Sequence, residues 1–258
     1  MVNPHPVAQL RGLTVDIATR HGNTASEVRV LDAVHLSVHP GRVTALIGES
    51  GCGKSLAALA LCGLLPPGSQ TRGEIVIDGV DLAGADERSW RQLRGAHIGF
   101  VPQSAATSFT AVRTIGSQLS EVCRRLDADR GVDELLAAVH LPAGTADRYP
   151  HELSGGMAQR AAIAAAIAAR PKALLADEPT SALDPDNADL VWQLLGEAAA
   201  AGAGVLVITH ELPGLLRSGL CDDIALMRDG TVVQQDTAAT VTASEDPYVQ
   251  RFFAAAVP

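Results

Sequence analysis

"RVTALIGESGCGKSLAALALCGLL", residues 42–65, holds the pattern that decides the fold. Its first part, "RVTALIG" (42–48), is an apolar run of the length and composition of a buried strand. Its last part, "LAALALCGLL", reads as a helix that Pro66 and Pro67 stop. Between them "GESGCGKS", Gly48–Ser55, fits the spacing G-x-x-x-x-G-K-[ST]. Strand, glycine loop and helix follow one another in the order a phosphate-binding loop requires. The glycines let backbone N–H groups turn toward phosphate oxygens, Lys54 reaches the β and γ phosphates, and the Ser55 hydroxyl is placed to ligate Mg²⁺. The candidate nucleotide-binding residues are Gly48, Glu49, Ser50, Gly51, Cys52, Gly53, Lys54, Ser55 and Leu56, with Cys52 read as a small spacer.

Upstream, "LTVDI" (13–17) and "VHLSV" (34–38) alternate in strand fashion, and the polar "ATRHGNTASE" (18–27) between them reads as a hairpin loop. An antiparallel N-terminal sheet is the simplest arrangement. Downstream, "EIVIDGVDL" (74–82) is strand-like, a helix follows around Trp90, and "HIGFVPQ" (97–103) is a further strand. Mostly helical sequence fills about 114–140. "KALLADEP" (172–179) and "GVLVITH" (204–210) are two more buried strands, separated by a helix around "ADLVWQLLGEAAAA". "IALMRDGTVVQQD" (224–236) reads as two short strands about an Asp-Gly turn. Strands alternating with helices predict a parallel α/β sheet, interrupted after residue 103 by a helical insertion.

The apolar strand "ALLAD" delivers Asp177 and Glu178 at its C-terminal end, the edge at which open α/β sheets bind ligands. Asp177 is the candidate Mg²⁺ holder, and Glu178 the candidate general base that polarises an attacking water. "GVLVITH" brings His210 to the corresponding place on another strand, where a donor near a γ phosphate has a specific role. Gln103 ends its strand in the same way, able to orient water or touch Mg²⁺ at the point where the helical insertion starts.

"HELSGGMAQRAAIAAAIAAR" (151–170) sets a Ser and two glycines before a run of Ala and Ile. Ser154 is a natural N-cap, and Gly155 and Gly156 leave the first N–H groups uncovered, so the helix offers a second anion site. The glycine loop already cradles phosphates. A second anion-binding helix start on an insertion makes sense if it grips nucleotide held by another copy, which predicts a head-to-tail dimer with two ATP molecules in the interface.

The formal charge of −9, with Lys54 and Lys172 the only lysines, argues against a nucleic-acid surface. Arg88, Arg91 and Arg94 fall at helical spacing and read as a solvated face. The scattered cysteines Cys52, Cys62, Cys123 and Cys221 form no CxxC pair, which fits a reducing compartment. The longest uncharged apolar run, Ala161–Ala169, is about half of what a membrane span needs. His35 and His39 read as lining one strand face rather than a metal site.

These residues together resemble the nucleotide-binding subunit of an ABC transporter. "LSGGMAQ" (153–159) resembles the ABC signature, with Ser154, Gly155, Gly156 and Gln159 acting in trans; "SALD" (181–184) resembles the D-loop, with Ser181 and Asp184; Gln103 and His210 resemble the Q-loop and switch histidine. "PQSAATSFTAVRTIGSQL", "YPHELSGGMAQR" and "ADEPTSALD" are similar to the ATPases of dipeptide, oligopeptide and nickel importers.

The resemblance implies a single ABC ATPase domain over 1–258. Its fold is α/β: a RecA-like P-loop NTPase core with a mostly parallel sheet, an N-terminal antiparallel β subdomain, and an α-helical subdomain inserted over 104–160. ATP and Mg²⁺ are the implied ligands, with Ser55, Gln103 and Asp177 around the metal and Lys54, Gln103, Glu178 and His210 catalytic. Implied partners are two integral-membrane permease subunits, a second identical or homologous ATPase and, indirectly, an extracytoplasmic binding protein, at the cytoplasmic face of the membrane. A soluble ABC ATPase of repair, translation or cluster assembly is the alternative, and a P-loop kinase would leave "LSGGM" unexplained.

Family members usually offer adenine an aromatic ring near the N-terminal hairpin. Residues 1–89 contain no Phe, Tyr or Trp; by position Ile17 takes that place, with His21 a weaker candidate. Peptide-type members commonly continue past "DPYVQRFFAAAVP" into a cysteine-bearing extension, so no iron–sulfur site is expected here.

Overall fold

A computed structural model describes residues 5–21, 24–210 and 212–256. The chain begins with strand β1 (Ala8–His21), paired antiparallel to β2 (Thr24–Val38). The polar stretch expected to be a loop is mostly ladder: Ala18, Thr19, Arg20 and His21 face Glu27, Ser26, Ala25 and Thr24 in register. The stretch is composed of Ala, Thr, Arg, His, Ser and Glu around a Gly-Asn pair, so it lacks the apolar alternation by which strands are recognised. β3 (Val43–Gly48), helix α1 (Lys54–Leu61), β4 (Gln70–Ile77), the short β5 (Val80–Asp81), α2 (Glu87–Leu93) and β6 (Ile98–Val101) follow. The first sheet has the order β2-β1-β4-β5 and is antiparallel throughout.

Between β6 and β7 (Ala173–Asp177) every helix or strand is helical: α3 (Ala105–Ser108), α4 (Ile115–Leu126), α5 (Val132–Ala138), two 3₁₀ turns and α6 (Gly155–Ala166). Then come α7 (Pro185–Ala200), β8 (Gly204–Ile208), α8 (Leu212–Arg217), β9 (Asp223–Arg228) and β10 (Thr231–Thr237). Asp229 and Gly230 both take positive φ in the last hairpin, as a primed two-residue turn requires. The chain closes with α9 (Ala238–Thr242) and α10 (Pro247–Ala256). The second sheet has the order β10-β9-β3-β8-β7-β6; its strands are parallel except at the β9–β10 pair.

The parallel strands are buried on both faces, which is why they read as continuous apolar runs. Val43, Ala45 and Ile47 pack with α4–α7 on one side, and Leu46 packs on the other with α1 and the antiparallel sheet. Each fully buried Leu or Ile contributes about 1.5–3 kcal/mol. Ala57, Ala58, Ala60 and Leu61 of α1 are buried among residues of both sheets, so the helix after the glycine loop is a filling between two layers.

α1 ends at Leu61, ahead of the two prolines. The N–H of Leu64 donates to the Leu59 carbonyl and that of Gly63 to Ala60. Arg94 closes the end: its Nε donates to the Cys62 carbonyl at 2.8 Å and its Nη2 to Gly63 at 2.7 Å, while Glu87 holds the same guanidinium. Arg94 is therefore a C-terminal clamp on the neighbouring helix, not part of a solvated basic face.

Candidate functional site

The glycine loop leaves the C-terminal end of β3 and folds back beneath α1. Gly48 takes φ +151° and Gly53 +105°. A Cβ on Gly48 would collide with the Met227 carbonyl and one on Gly53 would lie 2.8 Å from Leu31, so β9 and β2 wall the loop closely and only glycine fits. The Cys52 N–H donates to Glu49, and the Cys52 carbonyl accepts from Gly230 N–H at 3.2 Å. Cys52 is 8% exposed and packs in the core with Leu31 and Leu46. Burial pushes its thiol pKa up, with Lys54 opposing, so the residue is a packed spacer. Lys54 Nζ donates to the carbonyls of Gly48 (2.9 Å) and Glu49 (2.8 Å), which holds the ammonium at the mouth of the loop.

β7 ends in Asp177, and its carboxyl lies within hydrogen-bonding reach of Ser55 across the head of α1. Asp177 is 8% exposed; desolvation raises its pKa, while Ser55 and Lys54 lower it and Glu178 raises it. Its Oδ1 is buried without a hydrogen-bond partner. A desolvated carboxylate beside a hydroxyl, with one oxygen unsatisfied, is an oxygen donor set suited to a hard divalent cation.

Glu178 turns the chain at φ +47°, a left-handed conformation that a non-glycine residue adopts only where its surroundings enforce it. Its N–H donates to the Ile208 carbonyl at 2.8 Å, and its Oε2 lies 2.8 Å from Nδ1 of His210. The His210 backbone N–H also donates to Oε2, at 3.4 Å. The carboxylate side chain is 14% exposed and the imidazole 65% exposed, so a base held from one side is open to the site from the other. β8 lies between β3 and β7, and His210 therefore comes up between the loop and the acid pair.

Gln103 is exposed two residues beyond β6, directly before Ser104, the N-cap of α3. Beyond it runs a groove of about 380 Å³ between α3, α4 and α6, lined by Phe100, Phe109, Val122 and Ala162 with Arg113 and Glu121 at its edge. Arg113 and Arg125 both pair with Glu121 there. Val112, the residue before Arg113, is 82% exposed.

Ser154 N-caps α6, its Oγ accepting from Met157 N–H at 3.3 Å, and both Ser154 and Gly155 are exposed. Gly156 and Gln159 are not: Gly156 is covered by Asn187, and Gln159 is 4% exposed with its Nε2 unpartnered. Gln159 stands one helical turn beyond Gly155, where α6 has already entered the core between its neighbours, so in the isolated chain only the cap and first glycine of this motif face outward. Ser181 closes a turn onto the Glu178 carbonyl through N–H and Oγ, and Asp184 N-caps α7 by accepting from Asn187 N–H at 3.0 Å.

Ile17 on β1 is half-buried against the core that contains Cys52 and α1, and its Cα partner on β2 is Val28. The side chain of His21 lies outside the described residues. Two groups near the loop carry no motif signal. A cavity of about 650 Å³ beside Gly48, Glu49 and His210 is bordered by Arg228, Tyr248 and Arg251, so the C-terminal helix forms one wall. The Arg228 guanidinium sits 4.7 Å from the Tyr248 ring centroid, and burial, with Glu49 next, raises the Tyr248 hydroxyl pKa.

A family model described as "ABC transporter" matches residues 31–181. A "Probable D,D-dipeptide transport ATP-binding protein DdpD" of Escherichia coli (strain K12) is 38% identical over 83% of this chain and 68% of that protein. A "Peptidoglycan transport ATP-binding protein YejF" of Agrobacterium fabrum is 38% identical over 98% of this chain, which spans 47% of that relative's length, about half. Among solved structures, a dimeric post-hydrolysis state of the ATP-binding cassette MJ0796, bound to ADP and Pi, superposes with a TM-score of 0.75 at 27% identity, over 89% of this chain and 98% of that one. Among the described residues no helix is long and apolar enough to cross a membrane.

Proposed function

Because the chain belongs to the ABC transporter family, we propose that it is the ATP-binding and ATP-hydrolysing subunit of an importer, driving uptake of peptides, nickel or a related small solute through separate membrane permeases. The observation that carries the catalytic reading is the convergence of the Ser55–Asp177 pair and the Glu178–His210 pair on one sheet edge. The family's ATP is the substrate.

The glycine loop holds the phosphates through its backbone N–H groups, and Lys54 exchanges its two carbonyl partners for β- and γ-phosphate oxygens. Glu178 accepts a proton from the attacking water, and His210 fixes the orientation of that carboxylate. The balanced outcome is ADP, inorganic phosphate and a proton. The unsatisfied Asp177 oxygen and the Ser55 hydroxyl fit Mg²⁺, with Gln103 the third candidate; bound there, the ion would neutralise charge on the phosphate oxygens.

In this reading the exposed Ser154 and Gly155 contact the γ phosphate of a second ATPase, identical or homologous. Ser154 Oγ accepts from the backbone, and its hydroxyl proton stays available to a phosphate oxygen. The helices between residues 104 and 160 form a subdomain whose groove, with the exposed Val112 one residue before its Arg113, receives a permease segment at the cytoplasmic face of the membrane. The dipeptide, oligopeptide and peptidoglycan transport names of the relatives support this class of cargo, met outside the membrane by a binding protein.

Light scattering on Glu178→Gln with and without ATP and Mg²⁺ tests the reading. An ATP-dependent dimer is expected. Full turnover in Ser154→Arg would refute the shared site, and a chain that hydrolyses ATP yet binds no permease would favour a non-transport ATPase.

A further inference from the structure

The start of α6 rests on the start of α7. Asp184 caps α7, and one residue occupies both of its carboxylate oxygens: Asn187 donates its backbone N–H to Oδ1 at 3.0 Å and its side-chain Nδ2 to Oδ2 at 2.7 Å. These two bonds hold the Asp184 pKa below the ordinary carboxylate value, the backbone bond contributing most. They also fix the remaining polar atom of Asn187. Its Oδ1 is turned onto Gly156, where a Cβ would overlap it and lie 2.5 Å from Cγ and 3.1 Å from Cβ of Asn187. Gly156 therefore has no side chain because Asn187 occupies the space, not because its backbone needs glycine; no positive φ occurs there. Gly155, one residue earlier, has only ordinary contacts, with the Ala182 carbonyl and Leu183 at 3.9 Å.

An acceptor oxygen at the first turn of α6 lies where helix N–H groups lack intrahelical partners and the dipole favours negative charge. Asn187 thus gives α6 a stop in both shape and sign. We propose that Asn187 is a positioning residue for hydrolysis: clamped by Asp184, it is the seat that sets Gly156, and through it Ser154, relative to the segment that carries Glu178. The link is short, since Ser181 is bonded to the Glu178 carbonyl and Asp184 follows three residues later. The inference rests on the reading of Ser154 as a contact to nucleotide held by a second ATPase.

The test is a double-mutant cycle on the full chain, reading kcat, the KM for ATP, and ATP binding by the unmixed monomer as the control for folding. Gly156→Ala alone is expected to lower kcat at least tenfold by driving a methyl into Asn187, with ATP binding retained. Asn187→Ala alone is expected to lower kcat several-fold with KM unchanged. In Asn187→Ala/Gly156→Ala the methyl occupies the vacated space, and kcat is expected to rise above that of Gly156→Ala while KM and ATP binding by the monomer stay level across all three variants, a kcat-only pattern that a merely structural role does not give. A double variant no more active than Gly156→Ala, or Asn187→Ala with undiminished kcat, would overturn the seat. Full turnover in Ser154→Arg would instead overturn the shared-site reading beneath it.

Discussion

Nδ1 of His210 and Oε2 of Glu178 lie 2.8 Å apart at the tips of adjacent strands, and the backbone N–H of His210 points at the same oxygen. One carboxylate oxygen is thus held twice by one residue, which leaves the other free to face a reacting water. Replacing Glu178 by Gln removes the proton acceptor, and turnover is expected to fall by about 10²–10⁴. His210→Ala keeps the acceptor and loses its orientation, with an expected loss of about 10²–10³. Phosphate release at saturating ATP, with nucleotide affinity measured separately, checks both; an affinity loss matching the rate loss would place His210 in binding instead.

Ile17 and its partner Val28 offer an aliphatic surface where relatives of this kind usually present an aromatic ring. Stacking of a base on an aromatic ring is worth about 1–3 kcal/mol. Ile17→Tyr is therefore expected to tighten ATP binding roughly five- to tenfold and to alter the ratio of ATP to GTP affinity. Titration of the purified variants decides the matter: equal affinities would show that adenine does not reach this strand.

Val112, one residue before the groove-lining Arg113, is 82% exposed, the most exposed large hydrophobic residue among those described. Val112→Asp is expected to abolish co-purification with the permease subunits, with ATP binding by the isolated chain as the folding control. Retained co-purification would move the docking face elsewhere.

Asp16 joins three strands of the antiparallel sheet, accepting from Arg29 at 3.0 Å and Arg72 at 2.5 Å. The Arg29 hydrogen bond is the largest influence and lowers its pKa; burial opposes it, and Arg72 adds to the lowering. A depressed carboxylate pKa stabilises the fold above the ordinary Asp value and loses that contribution as pH falls through the folded value. Asp16→Asn is expected to lower the thermal midpoint at pH 7, with the gap to the wild type closing on acidification below pH of about 4. A gap independent of pH would assign the effect to packing.

The parts of this fold that were legible in the sequence are those where one local pattern has one physical solution. A glycine loop between an apolar strand and a helix, an acid pair ending an apolar run, and a Ser before two glycines could each be placed from spacing alone. What escaped was set by tertiary contact. The far end of the β1–β2 ribbon, residues 18–27, is written mostly in Ala, Thr, Arg, Ser and Glu and so shows no apolar alternation. Arg94 looked like a solvated charge because its acceptors are carbonyls of another helix. Gln159 belongs by position to a signature motif, yet the turn of α6 carries it inside. Tyr248 and Arg251 border the loop only because α10 folds back from the far end of the chain. Asn187 carries no motif, and its role depends on a glycine thirty-one residues earlier having no Cβ.

The burial of α1 between two sheets has a thermodynamic consequence. The helix that carries Lys54 and Ser55 packs on β1, β2 and β4 on one side and on β3 and β7 on the other. It cannot fray without loosening both layers, so its opening belongs to a large cooperative unit. Free energy gained at the phosphates is then distributed as amide protection throughout the antiparallel sheet, far from any atom that touches nucleotide, and the ribbon strands become a remote reporter of whether the loop is filled.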